Sequence, residues 1–425
     1  MSKSIKSYEL HGSYDFATHE INIIKLNNRD LSFLTELKEV SQNKITKSDL
    51  SDIRTIVHEI THFLDSTTTI WGAEFNYRKN LYLVEQSNQR GEVLQLNLSE
   101  LSLHHELNDG AGESLSLNFK IEHAIEYDNE YGVYISVLFY NEGGEVTAKV
   151  PTSMLALLEC NAIASEILIA LELVKSVDGY SGSDIEEEFN DFLISSNDIE
   201  YKLFLFLARK HFNFLPLESF LRLFKSFVDL SLNVEAIPLS KFANIVERTC
   251  LNKELGRLLS AELRRGSSRA AFLFKLILFS YGHYITCDDE EKLKLRETIC
   301  KKPINFIHTV LMKLGVRLTN INEFGITQEQ LKNQCFFDSE IFMMTSSFNR
   351  NLLKSEQFCF QTLKKLKYPD IFKLNNKNAT LPCFIKVDLE SKISQIFPAF
   401  SQLYDLYDEA PKFHLVPGYK EFYIR

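Results

Sequence analysis

From about residue 185 to residue 366 apolar side chains recur at three- and four-residue steps, and this period is the strongest constraint on what the chain can fold into. The segments 199–211, 217–230, 239–264, 268–284, 289–314 and 327–366 all carry it. Residues three and four apart share a face only on an α-helix, so each segment predicts a helix with one buried stripe. Glycine and proline are scarce, 16 and 9 in 425 residues. That disfavours a turn-dense sandwich, a linker-like chain or a collagen-like repeat. Many of the 33 phenylalanines fall in this half at helical spacing, where they read as helix core rather than as an aromatic binding stripe. The tail from residue 369 is less regular, and no internal repeat is visible.

The first half reads differently. Residues 20–27 alternate as a strand does, and 30–41 predict a short helix. The polar stretch 41–51 can supply the N-cap of a second helix. That helix is marked by Ile53, Ile56, Val57, Ile60 and Leu64 on one stripe from about 51 to 64. Residues 93–103 alternate with period two. Segments 132–140 and 145–150 flank Asn141-Glu142-Gly143-Gly144, a hairpin signal. Pro151-Thr152-Ser153 then leads into an apolar helix, about 154–174, and the run 178–184 is the best linker in the chain. The expected fold class is α+β, with an N-terminal mixed domain over 1–180 and a mostly α-helical domain over 185–425.

Charge and composition narrow the function. Lys plus Arg is 47 and Asp plus Glu is 57, a net charge of −10, so a nucleic-acid partner is not expected. The basic runs Arg264-Arg265 and Lys364 to Lys367 read as solvated faces. Seven cysteines, odd in number and without a C-x-x-C pair, fit a reducing compartment better than a disulfide framework. The N-terminal residues carry no apolar signal-peptide core. The apolar stretch 154–174 carries Glu159, Glu166 and Glu172, too costly for a lipid-facing helix. No membrane association is expected, and the expected location is cytoplasmic.

The chemistry concentrates at His58-Glu59-Ile60-Thr61-His62. Residues four apart on a helix face the same side, so His58 and His62 can present two imidazoles to one tetrahedral zinc ion. Glu59, turned slightly around the helix, can act as general base on water at the metal. The flanks, Thr55-Ile56-Val57 and Phe63-Leu64, are uncharged and free of proline. The segment 55–64 resembles the extended HExxH pattern of the zincin metallopeptidases, which implies a zincin-like fold for the N-terminal domain. Asp65 and Thr68 stand where the metzincin branch requires Gly and His, so that branch is excluded and a carboxylate third ligand, of gluzincin type, is implied.

The segment Glu159-Cys160-Asn161-Ala162-Ile163-Ala164-Ser165-Glu166-Ile167-Leu168 resembles the second zinc helix of the ImmA/IrrE-like metallopeptidases. The two likenesses cover about ten residues each. In that family the glutamate completes a His-His-Glu site, which here implies metal ligands His58, His62 and Glu159, with Glu59 catalytic. This chain lacks the family's closing Met-Pro and places about a hundred residues between the two helices. Independently of the resemblance, Glu159 is a carboxylate in a strongly apolar helix, where an ion needs a counter-charge. Glu74, Glu85, Glu92 and Asp65 are the alternative carboxylates; one of His104 and His105 could supply a nitrogen. Asp65 could orient a histidine from behind or merely end its helix. His211 and His283 lie in apolar helices and read as core histidines. No G-x-S-x-G, Walker or dinucleotide fingerprint occurs.

These readings lead to an expected zinc-dependent endopeptidase. It would cleave a specific protein or peptide substrate through water activated by Glu59, with the helical half recognising substrate or meeting a regulatory protein partner. The resemblance points towards regulated stress, toxin or anti-phage roles. The alternative is a zinc-binding sensor or scaffold without turnover.

Overall fold

The computed structural model describes residues 12–14, 16, 19, 21–23, 45–85, 115–128, 132–195, 199–266, 269–332, 337–367 and 371–373. Over these residues the chain mixes many helices with two three-stranded sheets, an arrangement compatible with α+β. The strands are β1 (Gly12–Tyr14), β2 (Ile21–Ile23), β3 (Lys120–Asp128), β4 (Gly132–Tyr140), β5 (Val146–Pro151) and β6 (Ile371–Lys373). The helices of the first half are α1 (Lys47–Thr68), α2 (Ile70–Glu85), α3 (Met154–Leu173) and α4 (Gly182–Ile194). Then follow α5 (Ile199–His211), α6 (Leu217–Asn233), α7 (Ala236–Thr249), α8 (Lys253–Arg265) and α9 (Ala270–Thr286). The last are α10 (Asp289–Lys301), α11 (Pro303–Lys313), α12 (Glu323–Lys332), α13 (Phe337–Ser355) and α14 (Phe360–Leu363).

The described residues divide into two compact units, one drawn from 1–91, 162–189 and 324–408, the other from 92–161 and 190–323. Helices α3 and α4 each continue unbroken across a point of division. With the short 3-10 turn after it, α3 is long and apolar enough to cross a membrane, yet it is mostly buried within the protein. A core helix meets the same criteria.

In the first unit α1 is buried without interruption from Ile56 to Thr68. A helix with no solvated face must satisfy its polar side chains internally. The hydroxyls of Thr61, Thr67 and Thr68 accordingly donate to the carbonyls four residues back, at 2.8, 2.6 and 2.7 Å. The cap expected within 41–51 is Thr46, which forms a reciprocal capping box with Asp49. The helix therefore starts earlier, and ends later, than its apolar stripe of 51–64. It stops where Thr69 turns extended, and α2 then folds back against it. A Cβ on Gly72 would lie 2.4 Å from the Ser66 carbonyl group, so this approach admits only glycine. Asn76 holds the crossing by donating to Ser66 O and Gly72 O at 2.8 and 2.9 Å. The sheet of this unit runs β1-β2-β6, with β1 antiparallel and β6 parallel to β2.

In the second unit β3, β4 and β5 form an antiparallel meander. Val133, Ile135, Val137 and Phe139 alternate into its buried face. The hairpin lies where its turn sequence places it: the Gly144 amide donates to Asn141 O, and Gly144 takes a φ of 80°. Strand β3 escapes the sequence reading because its residues, Lys-Ile-Glu-His-Ala-Ile-Glu-Tyr-Asp, carry no apolar alternation, and none from 120 to 127 is buried.

The helices of this half differ from expectation where the chain turns tightly. Segment 239–264 is two helices, α7 and α8, separated at Cys250–Asn252, where Asn252 caps α8 through Glu254 N and Leu255 N. Segment 289–314 is also two, because Pro303 starts α11 and cannot continue α10. Segment 327–366 comprises α12, α13 and α14. Apolar residues recur at helical steps on both sides of each break, so the step alone does not register it. The expected helix 30–41 and strand 93–103 lie outside the described residues.

Candidate metal centre

Helix α1 places His58 and His62 one turn apart, both fully buried. Their Nε2 atoms converge to 3.2 Å. Two nitrogens bound at ordinary zinc distances with a tetrahedral angle between them are about 3.3 Å apart, so the spacing is that of a ligand pair. From α3, Glu159 brings a carboxylate oxygen to the same point: the three ligand atoms lie within 4.8 Å of one another, all on buried residues. Two imidazoles and a carboxylate form a donor set that suits zinc.

Glu59 is fully buried beside this group. The backbone of β1 runs directly against its carboxylate: a Cβ on Gly12 would stand 2.6 Å from Glu59 Oε1 and 3.0 Å from its Cγ. Two aromatic rings pack against His62. Tyr14 stacks on its ring at 6.2 Å and 24°, and Phe16 meets it edge-on at 5.9 Å. The Tyr14 hydroxyl lies 2.5 Å from His19 Nδ1 and is also hydrogen-bonded to Ser66, one turn beyond His62. His19 takes a left-handed φ of 62° to reach it, a backbone conformation uncommon outside glycine.

Behind His58 stands a second carboxylate. Its Nδ1 lies 3.4 Å from Glu166 Oε2, and the other oxygen of Glu166 accepts from Arg54 Nη2 at 2.9 Å. Arg54 reaches on to Glu188 at 3.2 Å, which also pairs with Lys47. Burial pushes the Glu166 carboxyl up, but the Arg54 guanidinium and the His58 ring hold it net below the usual carboxylate range. Arg54 is itself held above its ordinary value, burial being outweighed by Glu166 and Glu188.

Of the residues singled out by sequence, the structure brings together His58, His62 and Glu159, with Glu59 adjoining. Asp65 is buried, and its backbone carbonyl accepts the Thr69 hydroxyl at 2.5 Å. Glu74 sits 4.0 Å from Arg78 on α2, outside the group of three. The Glu85 side chain, Glu92, His104 and His105 lie outside the described residues. His211 packs on Tyr281 at 4.4 Å, and burial pushes it down to about 4. His283 stacks near Phe306 and is lowered by burial; both histidines are half-buried rather than part of the core.

Sequence reasoning missed Gly12, Tyr14 and His19, which precede the motif by some forty residues and are joined to it only by packing. It also missed the roles of Arg54 and Glu166, though a signal existed. Arg54, His58 and His62 follow one another at four-residue steps, and Glu159 and Glu166 are two turns apart on one face of α3.

No family model matches the chain, and neither a curated protein nor a solved structure matches it.

Proposed function

We propose that this chain is a zinc-dependent endopeptidase, with His58, His62 and Glu159 as ligands and Glu59 as general base. The single observation that carries the reading is the convergence of two Nε2 atoms and one carboxylate on buried residues, beside a further glutamate from the same helix turn. The resemblance to zincin and ImmA/IrrE-like motifs supports it. Bound there, zinc would supply Lewis-acid chemistry, acidifying water and polarising a carbonyl. Glu59 then accepts a proton from the attacking water at its carboxylate oxygen and returns it to the departing amine nitrogen, so one water is consumed per bond broken. The backbone of β1, lying on Glu59, limits where that carboxylate can swing. A protein or peptide is the fitting substrate class. Free thiols among the described residues accord with a reducing, cytoplasmic setting.

One observation favours a second reading. His58, Glu59, His62 and Glu159 are all fully buried, as in a zinc-held scaffold or sensor that performs no turnover. Zinc content and cleavage together discriminate. Wild type should bind about one zinc per chain by elemental analysis, and His58→Ala and Glu159→Ala should lose it. Glu59→Gln should keep zinc while cleavage of a substrate, found by comparing cell proteomes with and without active protein, falls about 10²–10⁴-fold. Zinc without cleavage in wild type would favour the scaffold; absence of zinc after reconstitution would overturn both readings.

A further inference from the structure

We propose that Glu166, held by Arg54, is a positioning residue for the metal centre: it fixes the His58 ring so that Nε2 faces His62 and Glu159. The inference rests on the zinc reading above and assigns a role to groups that reading does not use.

The two oxygens of Glu166 have separate partners. Oε2 faces His58 Nδ1 at 3.4 Å, and Oε1 accepts from Arg54 Nη2 at 2.9 Å. Nδ1 and Nε2 lie on opposite edges of the imidazole ring, so a carboxylate behind Nδ1 cannot also ligate an ion in front of Nε2. Glu159 and Glu166 therefore divide the work on one helix face: one carboxylate at the front of His58, the other at its back. Two turns of helix, about 10.5 Å, separate them, and the His58 ring lies across that interval.

A carboxylate at Nδ1 holds the proton on that nitrogen. Nε2 then keeps its lone pair as ligand, and the ring is pinned against rotation. Arg54 holds the Glu166 carboxylate in place at 2.9 Å, and Glu188 in turn anchors Arg54 from α4 at 3.2 Å. Removing Glu166 should leave the three ligands present but let the His58 ring turn or take its proton on the wrong nitrogen.

The test is zinc affinity by chelator competition on the full chain, with visible absorption of the cobalt-loaded protein as second readout. Glu166→Ala should weaken zinc about 10–100-fold and shift the cobalt bands. Glu166→Gln, which keeps an oxygen able to lie near Nδ1, should recover part of the affinity, a rescue that a merely structural role would not give. Should Glu166→Ala leave Arg54 uncompensated and unfold, the double variant Arg54→Met with Glu166→Leu removes both charges together, and it too should bind zinc more weakly. Wild-type affinity and unchanged cobalt bands in the folded Ala or double variant would overturn the inference while leaving the zinc reading intact. A wild type that takes up no zinc would overturn both.

Discussion

The backbone of strand β1 lies directly against the Glu59 carboxylate. The Gly12 backbone leaves no room for a side chain over the carboxylate, so Gly12→Ala must push either β1 or Glu59 aside. The expected cost is about 1–3 kcal/mol of stability, read by denaturant unfolding, together with unchanged zinc content because the atoms nearest the added Cβ belong to Glu59 rather than to a proposed ligand. An unfolding midpoint equal to wild type would mean that the strand yields freely there. At this scale the motif itself was legible: the four-residue step and the intervening glutamate are local facts. Glycine at 12 was not, because nothing near it in the chain says that a carboxylate will arrive from residue 59.

Elements are joined at places where the chain tolerates one residue type. α2 meets the last turn of α1 over Gly72, whose missing Cβ would otherwise lie 2.4 Å from backbone atoms that cannot rotate away. Gly72→Ala is expected to cost at least as much as Gly12→Ala, about 2–3 kcal/mol, and to loosen the helix end that follows His62. Thermal unfolding compared with Gly282→Ala, a helical glycine with open space around it, checks this. The control should be neutral or slightly stabilising. Helix existence was legible from period, since burying a stripe requires it. The division of 239–264 and 289–314 was not read from period, although Asn252 and Pro303 are the local residues that cause it.

For the whole molecule, metal and pH are the two external variables that should move stability. An ion that binds only the folded chain adds about 2.7 kcal/mol at a hundredfold excess over its dissociation constant. Zinc should therefore raise the unfolding temperature of stripped wild type and leave His58→Ala unmoved; equal shifts in both would place the ion elsewhere. Acid should act through Glu235 in the second unit. Burial pushes this carboxyl up, but the Thr319 hydroxyl and the Ile321 and Asn322 amides donate to it and hold it net below its ordinary value. Because the folded value is depressed, the stabilisation is present above the unfolded value near 4.5 and is lost as pH falls through the folded one. Glu235→Gln should be less stable than wild type at neutral pH, and the gap should close as the pH drops below about 4.5. A constant gap across that range would show that the carboxylate charge is not what stabilises the site.

By itself the sequence determined whatever neighbouring residues decide together: the helix that sets two histidines on one face, the Asn-Glu-Gly-Gly turn of the hairpin, and the predominance of helix after residue 185. Glu159 was named beforehand through the resemblance, whereas only the tertiary structure decided which strand covers Glu59. It alone also placed Glu166 at the back of His58 and Ile21 beside Ile371 in one sheet. The physical reason is range. Helical period and turn chemistry act over a few residues, whereas the group proposed to hold a metal joins residues about a hundred positions apart, brought together by burial of apolar surface that carries no label of its partner.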